Sequence, residues 1–243
     1  MDSLLPKFQN VSSIIKGYCR RIFPSIKKYK KSYAQSGEDI IISFIFDLIA
    51  IRSPRHLDIG GHDPVYLNNT YFFYIKGCTG VNIEPDPFLF EKFIRKRRRD
   101  VNLNIGVAAE ACARDFYVMT ERTLNTFSVE EAKRYESYGK KKIEKVLKIN
   151  VLNVNDVMRE YFHPKPNFVS LDVEGLELEI LKSFDFKNYR PEVFCIETIT
   201  YTEDKSEIKL NEVINFMCSK GYFVYADTYI NTIFVEKKAW ADR

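Results

Sequence analysis

Short apolar runs that stop at an acidic residue recur along this chain. Gly80-Val81-Asn82-Ile83-Glu84, Asn167 to Asp172 and Pro191 to Glu197 share this form, and His56-Leu57-Asp58-Ile59 carries its acid one residue before its end. Brief apolar runs bounded by turn residues predict buried strands. Between them the period changes. Ile40, Ile41, Phe44, Ile45 and Leu48 recur at helical spacing, as do Leu176, Ile180 and Leu181, and the stretch from Ile208 to Lys220 that Gly221 stops. Ser36, with Asp39 three residues on, predicts the cap of the helix that carries Ile40. Val101 to Val107 predicts one short strand ending near Gly106. Tyr222 to Ala226 and Thr232 to Glu236 predict an antiparallel pair joined across Asp227 to Asn231. Strands alternating with helices imply an α/β fold with a mostly parallel sheet and a hairpin-like edge.

The turn after the first run is the most informative segment. Gly60 and Gly61 follow Asp58, and Glu84 closes the next run about 20 residues later. Glycines let a backbone turn sharply near a ligand, and a carboxylate at that spacing accepts ribose hydroxyl protons. A dinucleotide site would continue as G-x-G-x-x-G, whereas this turn reads Gly60-Gly61-His62-Asp63-Pro64. The pyrophosphate cradle is poorly made. That favours a nucleoside cofactor without phosphate, S-adenosylmethionine, over NAD.

Length and composition narrow the setting. The 243 residues suit one α/β domain with modest additions, and 45% apolar residues supply a sizeable core. Residues 1–31 carry net charge +7 and a stripe of Phe8, Val11, Ile15, Tyr18 and Ile22, which predicts a basic amphipathic extension. Its expected contacts are the domain itself, a partner subunit in a homo-oligomer, or a membrane surface. Residues 32–243 carry net charge −3, which disfavours nucleic acid as a partner. Five dispersed cysteines without a C-x-x-C, no secretion signal and no bilayer-length apolar run predict a cytoplasmic protein, if need be peripheral to the membrane. The run Lys92, Arg95, Lys96, Arg97, Arg98 and Arg99 is expected to form the solvated face and end of a helix. Residues 120–148, charged and tyrosine-bearing, are expected to be a lid, a substrate platform or a mobile segment.

The order of motifs resembles that of FkbM-type S-adenosylmethionine-dependent methyltransferases. The resemblance runs from Tyr33 to about Val235. It rests on Tyr33-Ala34-Gln35-Ser36-Gly37-Glu38-Asp39, Leu57-Asp58-Ile59-Gly60-Gly61, Asn82-Ile83-Glu84-Pro85, Leu171-Asp172-Val173-Glu174-Gly175-Leu176-Glu177 and Pro191-Glu192-Val193. It implies a Rossmann-like seven-stranded methyltransferase sheet, mostly parallel with an antiparallel C-terminal edge. It also implies O-methylation, often of sugars in surface glycans, hence polysaccharide biosynthesis. His62, Asp63 and Pro64 stand where the family more usually has Asn-x-Gly.

Roles follow for particular residues. Asp58 is the candidate for the cofactor's α-ammonium, Glu84 for its ribose, Gly60 and Gly61 for close approach, Gln35 for its carboxylate and Asn104 for the adenine edge. Asp172 and Glu197, at the ends of two later strands, are expected near the methyl group. They serve there as a general base or as ligands of Mg²⁺ or Mn²⁺, with Glu174 a third ligand or a helix-start charge. His62 is a further candidate base. Asn69 and Thr70 are expected to be packing or surface residues. The segment Asp172-Val173-Glu174-Gly175 lacks the Asn/Asp-Pro-Pro-Tyr pattern of amino-group methyltransferases, so oxygen is the favoured acceptor atom. Two readings compete: an NAD-linked oxidoreductase on the same crevice, and a non-catalytic scaffold or RNA-binding module.

Overall fold

Strand register brings the acid-ended runs to one edge. The computed structural model describes residues 30–202 and 206–243, and Ser32–Arg243 forms one compact unit. The amphipathic stripe and Cys19 lie outside the described residues. The first elements are α1 (Glu38–Leu48), β1 (His56–Ile59), α2 (Tyr71–Ile75), β2 (Gly80–Ile83), α3 (Pro87–Lys96), β3 (Val101–Leu103), β4 (Gly106–Ala108) and β5 (Cys112–Met119). There follow α4 (Val129–Ser137), β6 (Ile143–Asn153), α5 (Val154–Tyr161), β7 (Phe168–Leu171), α6 (Glu177–Ser183) and β8 (Val193–Glu197). The chain closes with α7 (Asn211–Ser219), β9 (Tyr222–Asp227), β10 (Asn231–Glu236) and α8 (Lys237–Ala241).

Seven strands form the main sheet in the order β3-β2-β1-β7-β8-β10-β9. The first five are parallel, and β10 runs antiparallel to both β8 and β9, so the C-terminal hairpin supplies the antiparallel edge. Ile59 pairs with Ile83 and with Leu171, and Leu171 pairs with Ile196. The residues next in line are Gly60, Glu84, Asp172 and Glu197. Four chain segments therefore deliver their functional groups to one edge of the sheet, where parallel sheets bind ligands.

Both faces of this sheet are covered, which is why its central strands read as nearly continuous apolar runs. Leu57, Ile59, Val81, Ile83, Val169, Leu171, Phe194 and Ile196 pack on one side against Val157, Met158, Ile180, Leu181, Val213 and Met217 from α5, α6 and α7. On the other side Phe168, Val193, Cys195, Ile233 and Val235 meet Ile42, Ile45, Phe46, Phe72 and Phe73 from α1 and α2. No described helix is long and apolar enough to cross a membrane.

Two local expectations change, and a third segment gains definition. The single strand expected from Val101 to Val107 is two strands in different sheets, because Asn104 and Ile105 turn the chain from β3 into β4. The helix expected to be capped by Ser36 begins instead after Gly37, with no side-chain cap. Asp39 is drawn away from the helix end, because its carboxylate accepts from Ser32 Oγ and Tyr33 N, both at 2.7 Å. Residues 120–148 are built into structure. Part of this stretch forms α4 and the start of β6, which pairs with β4 and β5 in a second, three-stranded sheet.

Candidate functional site

A cavity of about 480 Å³ opens at the shared strand edge, lined by Gln35, Asp58, Gly60, Gly61, Glu84 and Asp172 among others. Its apolar wall includes Ile83, Leu89, Val107, Phe116 and Phe127. Phe127 lies against Phe116 with ring centroids 4.7 Å apart. The inserted segment completes this wall. Arg122 pairs with Asp86, Asn125 Nδ2 donates to Asp86 Oδ2 at 3.1 Å, and Thr126 Oγ1 donates to the Glu174 carbonyl at 2.9 Å. Asp86 is itself fixed as the N-cap of α3, accepting from Phe88 N, with Pro87 at the first helical position.

Gly60 is where side-chain bulk is excluded. Its φ is +81°, and a Cβ there would sit 1.7 Å from the Asp172 carbonyl oxygen. The end of β1 can thus lie directly against the end of β7. Glu84 is buried, and its two oxygens accept from the backbone N–H groups of His62 and Asp86, each at 2.8 Å. Burial raises its pKa to about 8 despite those two bonds. Asp58 is also buried, and its Oδ2 accepts from Asn68 Nδ2 at 3.0 Å and Thr70 Oγ1 at 2.9 Å.

The later strand ends assemble an acid cluster. Oxygens of Asp172, Glu177 and Glu197 lie within 4.8 Å of one another. Asp172 and Glu197 are close enough to act on each other's protons: Glu197 favours the ionised form of Asp172, and the Asp172 charge holds the proton on Glu197. Burial raises Asp172 to about 6 and Glu177 to about 7. It pushes Glu174 and Glu197 well above the usual carboxylate range, with the charge of Asp172 adding to both. Glu177 accepts from Val173 N and Gly175 N. Glu174, with φ +53°, accepts a hydrogen bond from the Tyr135 hydroxyl at 2.7 Å. Glu174 and Glu197 also border a second cavity of about 470 Å³, which Tyr135, Tyr201, Arg134 and Asn211 help to line.

The family model described as the methyltransferase FkbM domain matches residues 58–224. The chain belongs to the FkbM methyltransferase family. No curated protein matches it. Among solved structures, this FkbM methyltransferase is similar to a precorrin-6y C5,15-methyltransferase from Geobacter metallireducens, with 10% identity and a TM-score of 0.41 over 81% of this chain and 88% of that one. A putative caffeoyl-CoA O-methyltransferase from Staphylococcus aureus is 9% identical, with a TM-score of 0.43 over 93% of this chain and 99% of that chain. The 1,6-didemethyltoxoflavin-N1-methyltransferase of Burkholderia thailandensis, solved with S-adenosylhomocysteine, is 9% identical, with a TM-score of 0.40 over 97% and 91%. Family membership sets aside the hydride-transfer and non-catalytic readings.

S-adenosylmethionine is the methyl donor this family membership supports, and the FkbM cavity fits it. The space is large enough and one wall is apolar. Asp58 keeps Oδ1 without a hydrogen bond among the described residues. Gln35, Asp58, Gly60, Gly61 and Glu84 all line the cavity where the motif order puts them. Asn104 does not. Its amide donates to the Glu84 and Pro85 carbonyls at 2.8 and 2.9 Å, so it ties the loop rather than meeting the adenine edge. His62 lines the cavity on the Glu84 side. Burial lowers the pKa of its ring, with Lys92 adding to that and Asp63, Asp86 and Glu121 opposing it. As a cavity-lining imidazole with a lowered pKa it keeps the standing of a candidate base.

Among the acids, Glu177 replaces Glu174 as the third member of the close triad. The signal for it was available: an acid on the first turn of a helix that starts just after an acid-ended strand. Tyr135 was not separable from the other tyrosines of its segment. Arg97 corrects the expectation of a solvated basic run, because it is fully buried, while Arg95 on the same helix is exposed.

The raised pKa of Glu84 gives a signed pH dependence. A carboxyl that holds its proton more tightly when folded stabilises the empty protein fully below its ordinary value of 4.5. That contribution is lost as pH rises through about 8. Ribose hydroxyls donate to the ionised form, so S-adenosylhomocysteine should release a proton on binding below pH 8. Its affinity should rise by up to about tenfold per pH unit and then level off. Calorimetry between pH 6 and 9 in buffers of different ionisation enthalpy checks this. A flat affinity with no proton release rules it out.

Proposed function

We propose that this chain is an O-methyltransferase that moves the methyl group of S-adenosylmethionine to a sugar hydroxyl of a surface glycan or its precursor. The observation that carries the reading is the close Asp172–Glu197 carboxylate pair, of which Asp172 lines the first cavity and Glu197 borders both. When bound, S-adenosylmethionine supplies an electrophilic methyl carbon on a sulfonium. Asp58, Glu84 and Gln35 hold its amino-acid and ribose parts, and the Phe116–Phe127 wall takes the adenine. The second cavity receives the acceptor. Tyr135 and Tyr201 offer aromatic faces to sugar C–H groups, and Arg134 and Asn211 offer polar contacts to hydroxyls.

An alcohol is a weak nucleophile until its proton has somewhere to go. Asp172, ionised above about pH 6, accepts that proton while Glu197, held well above the usual carboxylate range, stays protonated beside it. The alignment of hydroxyl and methyl carbon comes from the two adjoining cavities, which fix both partners before reaction. The close triad of Asp172, Glu177 and Glu197 also fits Mg²⁺ or Mn²⁺, which would supply Lewis acidity to the hydroxyl.

Transfer of labelled methyl from S-adenosylmethionine to a panel of nucleotide-activated sugars and glycan fragments tests the reading. The assay is run with EDTA and with added Mg²⁺ or Mn²⁺. Methylated sugar insensitive to EDTA supports the protein base, and loss in EDTA restored by metal supports the cation. Methyl transfer only to amines or thiols would reject the sugar-hydroxyl assignment.

A further inference from the structure

Arg97 is the least exposed cation of the described residues and has no part in the reading above. It follows α3 directly and is 0% exposed. All three guanidinium nitrogens are engaged. Nε donates to Asp100 Oδ2 at 2.8 Å, and Nη1 donates to the Pro64 carbonyl and to Asn68 Oδ1, both at 3.2 Å. Nη2 donates to Thr70 Oγ1 at 2.9 Å and lies 3.0 Å from His56 Nε2. The guanidinium also sits 4.8 Å from the centre of the Tyr74 ring. This is a rigid, five-partner setting that a lysine could not reproduce.

Two of the side chains that Arg97 holds are the two that hold Asp58. Asn68 Nδ2 and Thr70 Oγ1 both bond to Asp58 Oδ2. The direction of the threonine proton can be worked out. Asn68 Oδ1 already accepts from Thr70 N at 3.0 Å, Tyr71 N at 2.8 Å and Arg97 Nη1. The threonine hydroxyl lies 2.9 Å from both this crowded amide oxygen and Asp58 Oδ2, and the carboxylate oxygen is the stronger acceptor. Arg97 Nη2 fills an acceptor position on Thr70 Oγ1, and its one proton goes to Asp58. The result is a carboxylate with Oδ2 doubly bonded to fixed donors and Oδ1 left for a ligand.

We propose that Arg97 is a positioning residue for the amino-acid end of the cofactor, acting through Thr70 and Asn68 to present Asp58 Oδ1 to the α-ammonium. The inference rests on the reading of Asp58 as the ammonium receptor. Strand alternation explains why the network exists at this point. His56 and Asp58 share one face of β1, opposite Leu57 and Ile59, and on that face the apolar packing gives way to Arg97, Asp100, Asn68 and Thr70. The guanidinium lies one hydroxyl from Asp58 and bonds directly to Asp100, so its charge offsets the cost of burying both acids.

The test compares two ligands on the full chain by calorimetry. S-adenosylhomocysteine carries the α-ammonium; 5′-methylthioadenosine keeps the nucleoside and lacks the amino-acid end. Thr70→Val, which removes one hydroxyl at constant shape, should weaken S-adenosylhomocysteine about tenfold. It should leave 5′-methylthioadenosine within about twofold. Arg97→Lys should act the same way, and if that variant fails to fold, Thr70→Val still decides. Equal weakening of both ligands, or of neither, overturns the proposal, because a merely structural role cannot tell the two apart. Asp58→Asn is the control for the underlying reading. If Asp58→Asn spares S-adenosylhomocysteine, or if the wild-type chain binds neither ligand, Asp58 is not the receptor. That failure is distinct from a silent Thr70→Val beside a discriminating Asp58→Asn, which removes Arg97 alone from the site.

Discussion

Asp172→Asn is expected to lower kcat by about 10²–10⁴-fold while S-adenosylhomocysteine binds within a few-fold of wild type. Asparagine keeps the shape but cannot take a proton from the acceptor hydroxyl. The same change should leave the protein as stable or more stable above pH 7. Asp172 is an acid whose folded pKa, about 6, lies above the ordinary 3.8. Its contribution to stability is therefore complete below 3.8 and lost as pH rises through 6. Removing its charge also relieves Glu174 and Glu197, whose pKa values burial raises first and Asp172 raises further. A slower and sturdier variant is the mark of a site built for chemistry at the expense of stability. Steady-state rates on the acceptor found above, with thermal unfolding at pH 6 and pH 8, check both halves. An active variant, or one that loses stability at pH 8, contradicts the assignment.

Gly60→Ala is expected to destabilise the fold by about 3 kcal/mol or more and to abolish cofactor binding. Two effects add. An alanine at φ +81° is strained, and its Cβ would lie 1.7 Å from the Asp172 carbonyl oxygen, a backbone atom that can move only if β1 and β7 part. Gly77→Ala separates the two effects, because Gly77 has φ +97° and nothing within 4 Å of the added Cβ. It should cost only the conformational strain, about 1–2 kcal/mol. Urea unfolding of both variants gives the difference. If they prove equally destabilised, close strand approach at Gly60 is not what its sequence position encodes.

Much of this architecture is legible in the chain's pattern. Three apolar runs ending in acids, and a fourth that carries Asp58 one residue before its end, are enough to bring Asp58, Glu84, Asp172 and Glu197 together near one sheet edge, because parallel strands in register end together. The glycine pair and its missing third partner separate a nucleoside cofactor from a dinucleotide. What misleads is local chemistry with more than one outlet. Ser36 and Asp39 have the spacing of a helix cap, but Asp39 finds two donors in the preceding loop at 2.7 Å. Asn104 sits at a strand end, yet two carbonyls of the adjacent loop claim its amide.

The one-dimensional pattern determined the main-sheet strands and which carboxylates share an edge, since alternation and run length act between near neighbours, but it did not show β5, β6 or the second sheet. It could not rank Arg97 above Arg95 or Glu177 above Glu174. Those choices depend on which side chains from distant segments arrive to accept or donate, and on how much water they exclude. Only the tertiary structure fixes both, by turning one arginine of a basic run inward beneath Asp58 and leaving its neighbour in solvent.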